Sequence, residues 1–448
     1  MSLIATLTRD YLTRSFKPFI FTNDYDAVLD YENLQNLGLY IHIPFCKSIC
    51  SFCPYCKQLY TEEKCNAYID YLIKEIHMVA GGAEKGGAGQ GAEAAQNAQT
   101  AQAAQAAQTV QKGEGARKKV TSLYFGGGTP ALAHNRLGEI IAAVNEHFIV
   151  TEGIGVELHP DNVTPEILAS LKSAGVTKIS IGIQSFQEKY QTILGRKPVD
   201  SAALKKVLEQ VPFETVSFDF IFALPGQTYD ELKSDIDMAF ECGANHIAIY
   251  PFIDFSFATS GIPVMKKNEK RRLLDDITNY CLSRGFSRSS IWTFSKGEDI
   301  RYSSMTRDNF LGFGCSATTL LKDSFKINTF SVDEYIARIK AQKLPTALTI
   351  RFTLRQRMMY YLFWTAYSTR VDSAQFEQFF GVPLKKKYGF EAALAKLFGF
   401  VTEAGGIYQM TLKGAFFYHY YENYYTLSYI DKMWNCMRKT AFPEGLRL

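Results

Sequence analysis

Residues 40–56 read YIHIPFCKSICSFCPYC, and Cys46, Cys50 and Cys53 stand in it at C-x3-C-x2-C spacing. Thiolates so spaced lie on one tight loop and converge on one face of a cubane [4Fe–4S] cluster. Four thiolates would saturate the cluster, whereas three leave one iron open to an exogenous ligand. An open iron can take the amino and carboxylate groups of S-adenosylmethionine (SAM). One electron from the cluster then splits the sulfonium and releases a 5′-deoxyadenosyl radical. In such chemistry the cofactor carries the radical step, and the protein binds, orients and shields. Plainer metal sites use cysteines as well. Cys50, Cys53 and Cys56 form the C-x2-C-x2-C opening of a bacterial ferredoxin run, but no C-P follows three residues later. A zinc knuckle needs a fourth ligand, for which Cys65 is the nearby candidate. Spacing alone leaves radical chemistry and metal binding on an equal footing.

Polar residues further along recur at the ends of apolar runs. YFGGGTP (124–130) is a glycine turn whose backbone can approach a ligand closely. Glu157 lies in VELHPDN, Gln184 in SIGIQSF, Arg196 in LGRKP and Asp219 in SFDFIFALPGQT. Singly, each reads as a tight turn or a strand-end ion pair. As a set on successive strand ends they supply an amide, a guanidinium and carboxylates to one cavity, as a polar cofactor or substrate requires.

The elements that position them alternate. LGLYIHI (37–43), VTSLYF, IGVELH, KISIGI, VSFDFIF and HIAIYPF read as strands apolar on both faces. Amphipathic helices are predicted over about 62–79, 132–148, 164–174, 201–210 and 228–242. Six β/α units with right-handed crossovers predict an α/β fold, a partial (β/α)6 TIM-like barrel, with chemistry at the strand C-terminal ends. The cysteine loop follows the first strand, where that rule puts it. Residues 81–118 are Gly, Ala and Gln with imperfect AAQ repeats and no aromatic residue, and read as a solvated insertion. From about residue 345, helical runs and a Gly-Gly turn between two short strands predict a small winged-helix-like α+β domain, followed by the Tyr-rich FFYHYYENYYTLSY. The expected organisation is an N-terminal arm (1–36), the barrel (37–344) and the C-terminal domain (345–448).

The 448 residues are 47% hydrophobic and 21% charged, the composition of an ordinary globular protein. A net charge of +4, with Lys385–Lys387 as its basic cluster, predicts no nucleic-acid partner. No leader-like segment or membrane span is expected. Of nine cysteines, four crowd into residues 46–56, a pattern of metal binding in a reducing compartment; the expected location is the cytoplasm.

YIHIPFC-x3-C-x-F-C, YFGGGTP, SIGIQSF and DFIFALPGQT, in this order and spacing, resemble the oxygen-independent coproporphyrinogen III oxidase-like radical SAM family. The resemblance spans residues 35–330 and is looser beyond. It implies that Cys46, Cys50 and Cys53 ligate a [4Fe–4S] cluster and that Tyr40, Gly127 and Glu157 contact the SAM bound to it. Phe52, Gly128, Thr129, Gln184, Arg196 and Asp219 match the positions that hold a second SAM in family members of the oxidase and methyltransferase types. LGFGCSATTLL (311–321) resembles the G-x-G-x-SA segment near the adenosyl group. Two departures stand out. The oxidases carry an extra cysteine two residues after the third ligand, where this chain has Pro54–Tyr55–Cys56; the heme-chaperone branch carries HN-x2-YW, where this chain has RYSSMTRDNFLGFG (301–314). The implied activity is SAM cleavage directed at a tetrapyrrole or other cyclic substrate, with flavodoxin or ferredoxin as reductant. The alternatives are C-methylation with the second SAM, and heme binding as a chaperone.

Overall fold

Six runs apolar on both faces form β1 (Leu37–Ile43), β2 (Leu123–Gly127), β3 (Ile154–Leu158), β4 (Lys178–Gln184), β5 (Thr215–Phe222) and β6 (His246–Pro251) in the computed structural model. It describes residues 3–24, 26–86, 117–258, 260–297 and 308–448. The six strands pair side by side in chain order, all parallel. Parallel strands need crossovers, and the helices α1 (Glu62–Gly86), α2 (Leu137–His147), α3 (Pro165–Ser173), α4 (Ser201–Gln210), α5 (Tyr229–Glu241) and α6 (Lys267–Ser283) follow them in turn. Local sequence sets where several helices begin. The Thr164 side chain accepts from Ile167 N ahead of Pro165, Asp200 accepts from Ala202 N and Ala203 N, and Thr228 with Glu231 closes a capping box.

A seventh parallel strand, β7 (Asn309–Phe313), pairs with β1 on its other side, so β1 is central. Beyond β7 the sheet continues antiparallel through Thr318–Leu320, Ser324–Asn328, Thr346–Arg351, Ile20–Thr22 and Gly445–Arg447. Beyond β6 it continues through Thr293–Lys296 and Phe286–Ser290. The two outermost strands do not pair with each other, so the barrel is partial. Both chain ends thus enter the sheet that carries the barrel strands. Helix α1 runs on to Gly86 before the remainder of the glycine-alanine-glutamine stretch, 87–116, which lies outside the described residues together with 298–307. Once its earlier turns are packed, each added residue completes a hydrogen bond at little cost, so the helix outlasts its apolar pattern.

In the C-terminal region, strand Arg370–Asp372 and the hairpin Val401–Ala404/Ile407–Met410 form a three-stranded sheet beside helices Leu354–Tyr367, Ser373–Phe380 and Leu384–Leu397. Gly405 and Gly406, at φ 59° and 83°, make the hairpin turn. Met358, Tyr361, Phe376, Leu384, Tyr388 and Tyr408 form its own core. The Tyr-rich run is helix α7 (Leu412–Tyr425), continued by a π-helical turn Thr426–Ile430 and helix α8 (Asp431–Lys439).

The barrel is tied together across α1 by Glu75. Its buried carboxylate accepts from Gly314 N at 2.7 Å, Tyr335 Oη at 2.6 Å and Asn328 Nδ2 at 3.3 Å. Burial pushes it up to about 7. Glu75→Leu strands these donors in the core, and a loss of about 3 kcal/mol of stability is expected by chemical denaturation; a loss below about 1 kcal/mol would show that the network relaxes freely.

Candidate active site

The cysteine loop is pinched at its base. Phe45–Cys46 pairs in parallel with Gln58–Leu59, Gln58 N donates to Pro44 O at 2.6 Å, and Tyr60 N donates to Cys46 O at 2.9 Å. Within the loop, Cys53 N donates to Cys50 O at 3.4 Å and the Lys57 ammonium donates to Cys53 O. The glycine turn after β2 lies directly against it. Gly128 N donates to Ile43 O at 2.9 Å, Thr129 N to Phe45 O at 2.8 Å, and the Thr129 hydroxyl points at Cys46 Sγ, 3.7 Å away. A Cβ on Gly128 would stand 2.6 Å from the Phe45 carbonyl oxygen; one on Gly127, at φ +122°, would stand 2.8 Å from the His42 ring. Glycine is therefore demanded here by loop-against-loop contact, in addition to any ligand.

Both loops open into a cavity of ≈ 690 Å³ at the C-terminal ends of the strands. Cys46, Cys50, Cys53, Phe52, Gly127, Gly128, Thr129, Glu157, Gln184, Arg196 and Asp219 all line it. Tyr40 does not: its ring stacks behind cavity-lining Tyr124 at 6.4 Å, and its hydroxyl meets His42 Nδ1 at 3.1 Å. Cys56 is also outside the wall. Its buried thiol sits 3.6 Å from Cys315 Sγ and 3.2 Å from the Phe330 carbonyl oxygen. Cys65 is buried on α1 in the main core, away from the other thiols' cavity. Ligands of one tetrahedral zinc would have sulfurs roughly 3.8 Å apart. Among the described residues, three metal-binding side chains lie within 4.8 Å of one another only at His77, Glu146 and His147. Cys46, Cys50 and Cys53 are more widely set, as ligands to separate corners of a cubane must be.

The polar wall is electrostatically unfinished. Glu157 Oε2 accepts from Gly127 N at 3.1 Å and Oε1 from Tyr124 Oη at 3.2 Å; Asp219 Oδ2 accepts from Ser180 Oγ at 2.8 Å. Burial pushes both carboxyls up to about 7, and Asp219 adds to the effect on Glu157. Two buried carboxylates with no cation paired to them among the described residues form a site that favours a positively charged ligand. Arg196 donates through Nη1 to Gly182 O at 2.5 Å and lies over the Phe52 ring at 5.6 Å, while its buried Nε has no partner. Burial, reinforced by Arg196, holds His159 down at about 4. Gln184 holds a left-handed φ of 70° where β4 meets its loop, the kind of backbone strain that gathers at functional sites.

Residues 40–239 match the sequence pattern of the radical SAM superfamily. That span is a radical SAM domain. The chain is 30% identical over 219 residues to the heme chaperone HemW of Lactococcus lactis, which covers 48% of each chain, so it spans about half the length of that relative. It is 24% identical over 338 residues to the oxygen-independent coproporphyrinogen III oxidase of Cereibacter sphaeroides, covering 69% of this chain and 68% of that one. The solved structure of coproporphyrinogen III oxidase from Escherichia coli shares the fold, with a TM-score of 0.70 at 20% identity over 92% of this chain and 98% of that one. The superfamily implies a [4Fe–4S] cluster and SAM, and this cavity fits both in kind: three thiols in its lining, buried carboxylates, and a guanidinium with a free donor.

Sequence reasoning passed over several wall residues. Tyr124 was legible, since it opens YFGGGTP. Ser180, two pleat repeats before the strand end, carried no signal of its own, nor did Glu422 within the Tyr-rich run. The α8 helix also reaches the cysteine loop, where Arg438 donates to Pro54 O and Trp434 meets Tyr55 at 5.8 Å.

Because folding raises the Glu157 carboxyl, the folded state binds more protons between pH 4.5 and 7, and this group's contribution to stability falls as pH rises through that window. Glu157→Gln should therefore gain stability over the parent as pH goes from 5 to 8, read as a growing Tm difference in the SAM-free protein. A constant difference across that range would mean Glu157 is not raised.

Proposed function

We propose that the protein is a radical SAM enzyme that holds a [4Fe–4S] cluster on Cys46, Cys50 and Cys53 and acts on a tetrapyrrole or another cyclic substrate. The observation that carries this reading is one cavity lined together by the three thiols, by uncompensated polar groups, and by aromatic rings such as Trp292, Trp364, Tyr367 and Tyr425. When bound, the cluster and SAM supply a 5′-deoxyadenosyl radical. Glu157, fixed by Gly127 N and Tyr124, receives the ammonium of the cluster-bound SAM, and Tyr40 supports that wall from behind. Phe52, Gly128, Thr129, Gln184, Arg196 and Asp219 are assigned to a second SAM, with Arg196 taking its carboxylate and Asp219 a cationic or hydroxyl group. The aromatic walls take a flat ring and exclude water from the radical. Residues 345–448 form the cover of the cavity, the electron comes from flavodoxin or ferredoxin, and the setting is the reducing cytoplasm. A second reading, a heme-binding chaperone that keeps the cluster, is favoured by the similarity to the Lactococcus lactis chaperone.

Anaerobic reconstitution with SAM, dithionite and coproporphyrinogen III, followed by mass spectrometry, separates these. Appearance of 5′-deoxyadenosine with loss of propionate carboxylates supports oxidative decarboxylation; S-adenosylhomocysteine in the same trace supports methyl transfer. Stoichiometric heme binding without any product supports the chaperone, and absence of SAM cleavage by the fully loaded protein would refute the enzyme. Ala at Cys46, Cys50 or Cys53 should abolish 5′-deoxyadenosine formation. Arg196→Ala should keep the cluster's absorption and lose the second equivalent of bound SAM; loss of the cluster would contradict the assignment.

A further inference from the structure

The same cavity is lined by a carboxylate to which no role toward the cluster or SAM is assigned. Glu422 lies on α7, within the Tyr-rich run, and lines the cavity with Tyr425, Thr426 and Tyr429. Its Oε1 accepts from Thr426 Oγ1 at 3.0 Å, while its Oε2 is buried without a partner. Lys270 on α6 is the charged group that acts on it, and no ion pair within 4.0 Å joins the two. Burial pushes Glu422 up to about 7. The helix passes into a π-turn at Thr426–Ile430, one helical turn after this residue. Such turns interrupt the regular ladder and collect at functional sites. An unsatisfied buried oxygen costs stability on the order of 1–3 kcal/mol, so a fold keeps one where a ligand completes it.

We propose that Glu422 is a binding subsite for ring N–H donors of the substrate, anchoring a planar or puckered pyrrole-type ring against the aromatic residues that line the same cavity. The inference rests on the reading that this cavity takes a cyclic substrate. The ligand group must be an N–H or O–H donor because the free atom is a carboxylate oxygen, which accepts and does not donate when ionised. The neighbouring rings, Trp292, Trp364, Tyr367 and Tyr425, give the ring its apolar contact, and Glu422 fixes which edge or face turns inward.

The test compares two probes with the same peripheral carboxylates. Coproporphyrinogen III carries four pyrrole N–H groups, whereas zinc coproporphyrin III carries none. Binding of each to the reconstituted protein is measured anaerobically by quenching of intrinsic fluorescence, for the parent, Glu422→Gln and Glu422→Met. Both variants should weaken coproporphyrinogen III at least tenfold, change zinc coproporphyrin III less than about twofold, and raise Tm, because an unpaired buried acid has been removed. If the parent binds neither probe, the tetrapyrrole reading fails and the subsite with it. If the parent binds both and the variants bind both as well as it does, the subsite alone is refuted. Equal weakening of both probes also refutes it, since that would mark Glu422 as a shaper of the cavity and not an N–H acceptor.

Discussion

The backbone of Gly127–Thr129 lies so close to that of Ile43–Phe45 that no side chain fits between them, and the site depends on this contact. The register of β1 on β2, with Ile43 opposite Gly127, brings the cysteine loop and the glycine turn off the sheet at the same level. Two backbone hydrogen bonds then lock the turn under the base of the loop. The Thr129 hydroxyl is thereby aimed at Cys46, and the Gly127 amide at Glu157. Any Cβ at Gly128 would push the two loops apart and move thiols, hydroxyl and carboxylate together.

Around that contact the protein accumulates charge that it does not neutralise. Among the described residues, Glu157 and Asp219 sit buried with hydroxyl and amide donors but no cation, and Arg196 keeps an unpartnered nitrogen. Each is unfavourable in the empty fold and becomes favourable only when a ligand of opposite charge arrives. The excess of apolar burial elsewhere, in a core that runs continuously from β1 through α1 to α6, sustains these deficits. Local rules are broken at the cavity, at Gln184, at the paired glycines and at the π-turn after α7, as is common where a fold forms a binding site.

The C-terminal region completes the cavity in a way that its sequence conceals. Its winged-helix-like core is separate and modest, yet α7 and α8 turn back to the barrel, where Tyr425, Tyr429 and Trp434 line the cavity and Arg438 holds the cysteine loop at Pro54. The aromatic residues of this run are therefore divided between packing and cavity wall. Strand Thr346–Arg351, Ile20–Thr22 and Gly445–Arg447 meanwhile extend the barrel's own sheet, so regions far apart in sequence share one hydrogen-bonded surface.

From sequence alone the six parallel strands, five of the helices between them and the ordering of thiols, glycines, carboxylates and guanidinium were legible, because each follows from local periodicity, capping and spacing. LGLYIHI is β1 to the residue, and 201–210 is α4 to the residue. The short helix Glu188–Ile193, the pairing of β7 with β1 and the entry of both chain ends into the sheet were not, since they depend on partners remote in the chain. The same reason explains the site. Residue types announced which groups could bind a cluster and SAM, but only tertiary packing decided that Tyr40 stands behind Tyr124, that Cys56 turns to Cys315, and that Glu422 faces the cavity. A side chain's chemistry is fixed by its own atoms, whereas its burial, its partners and its direction are set by whatever folds against it.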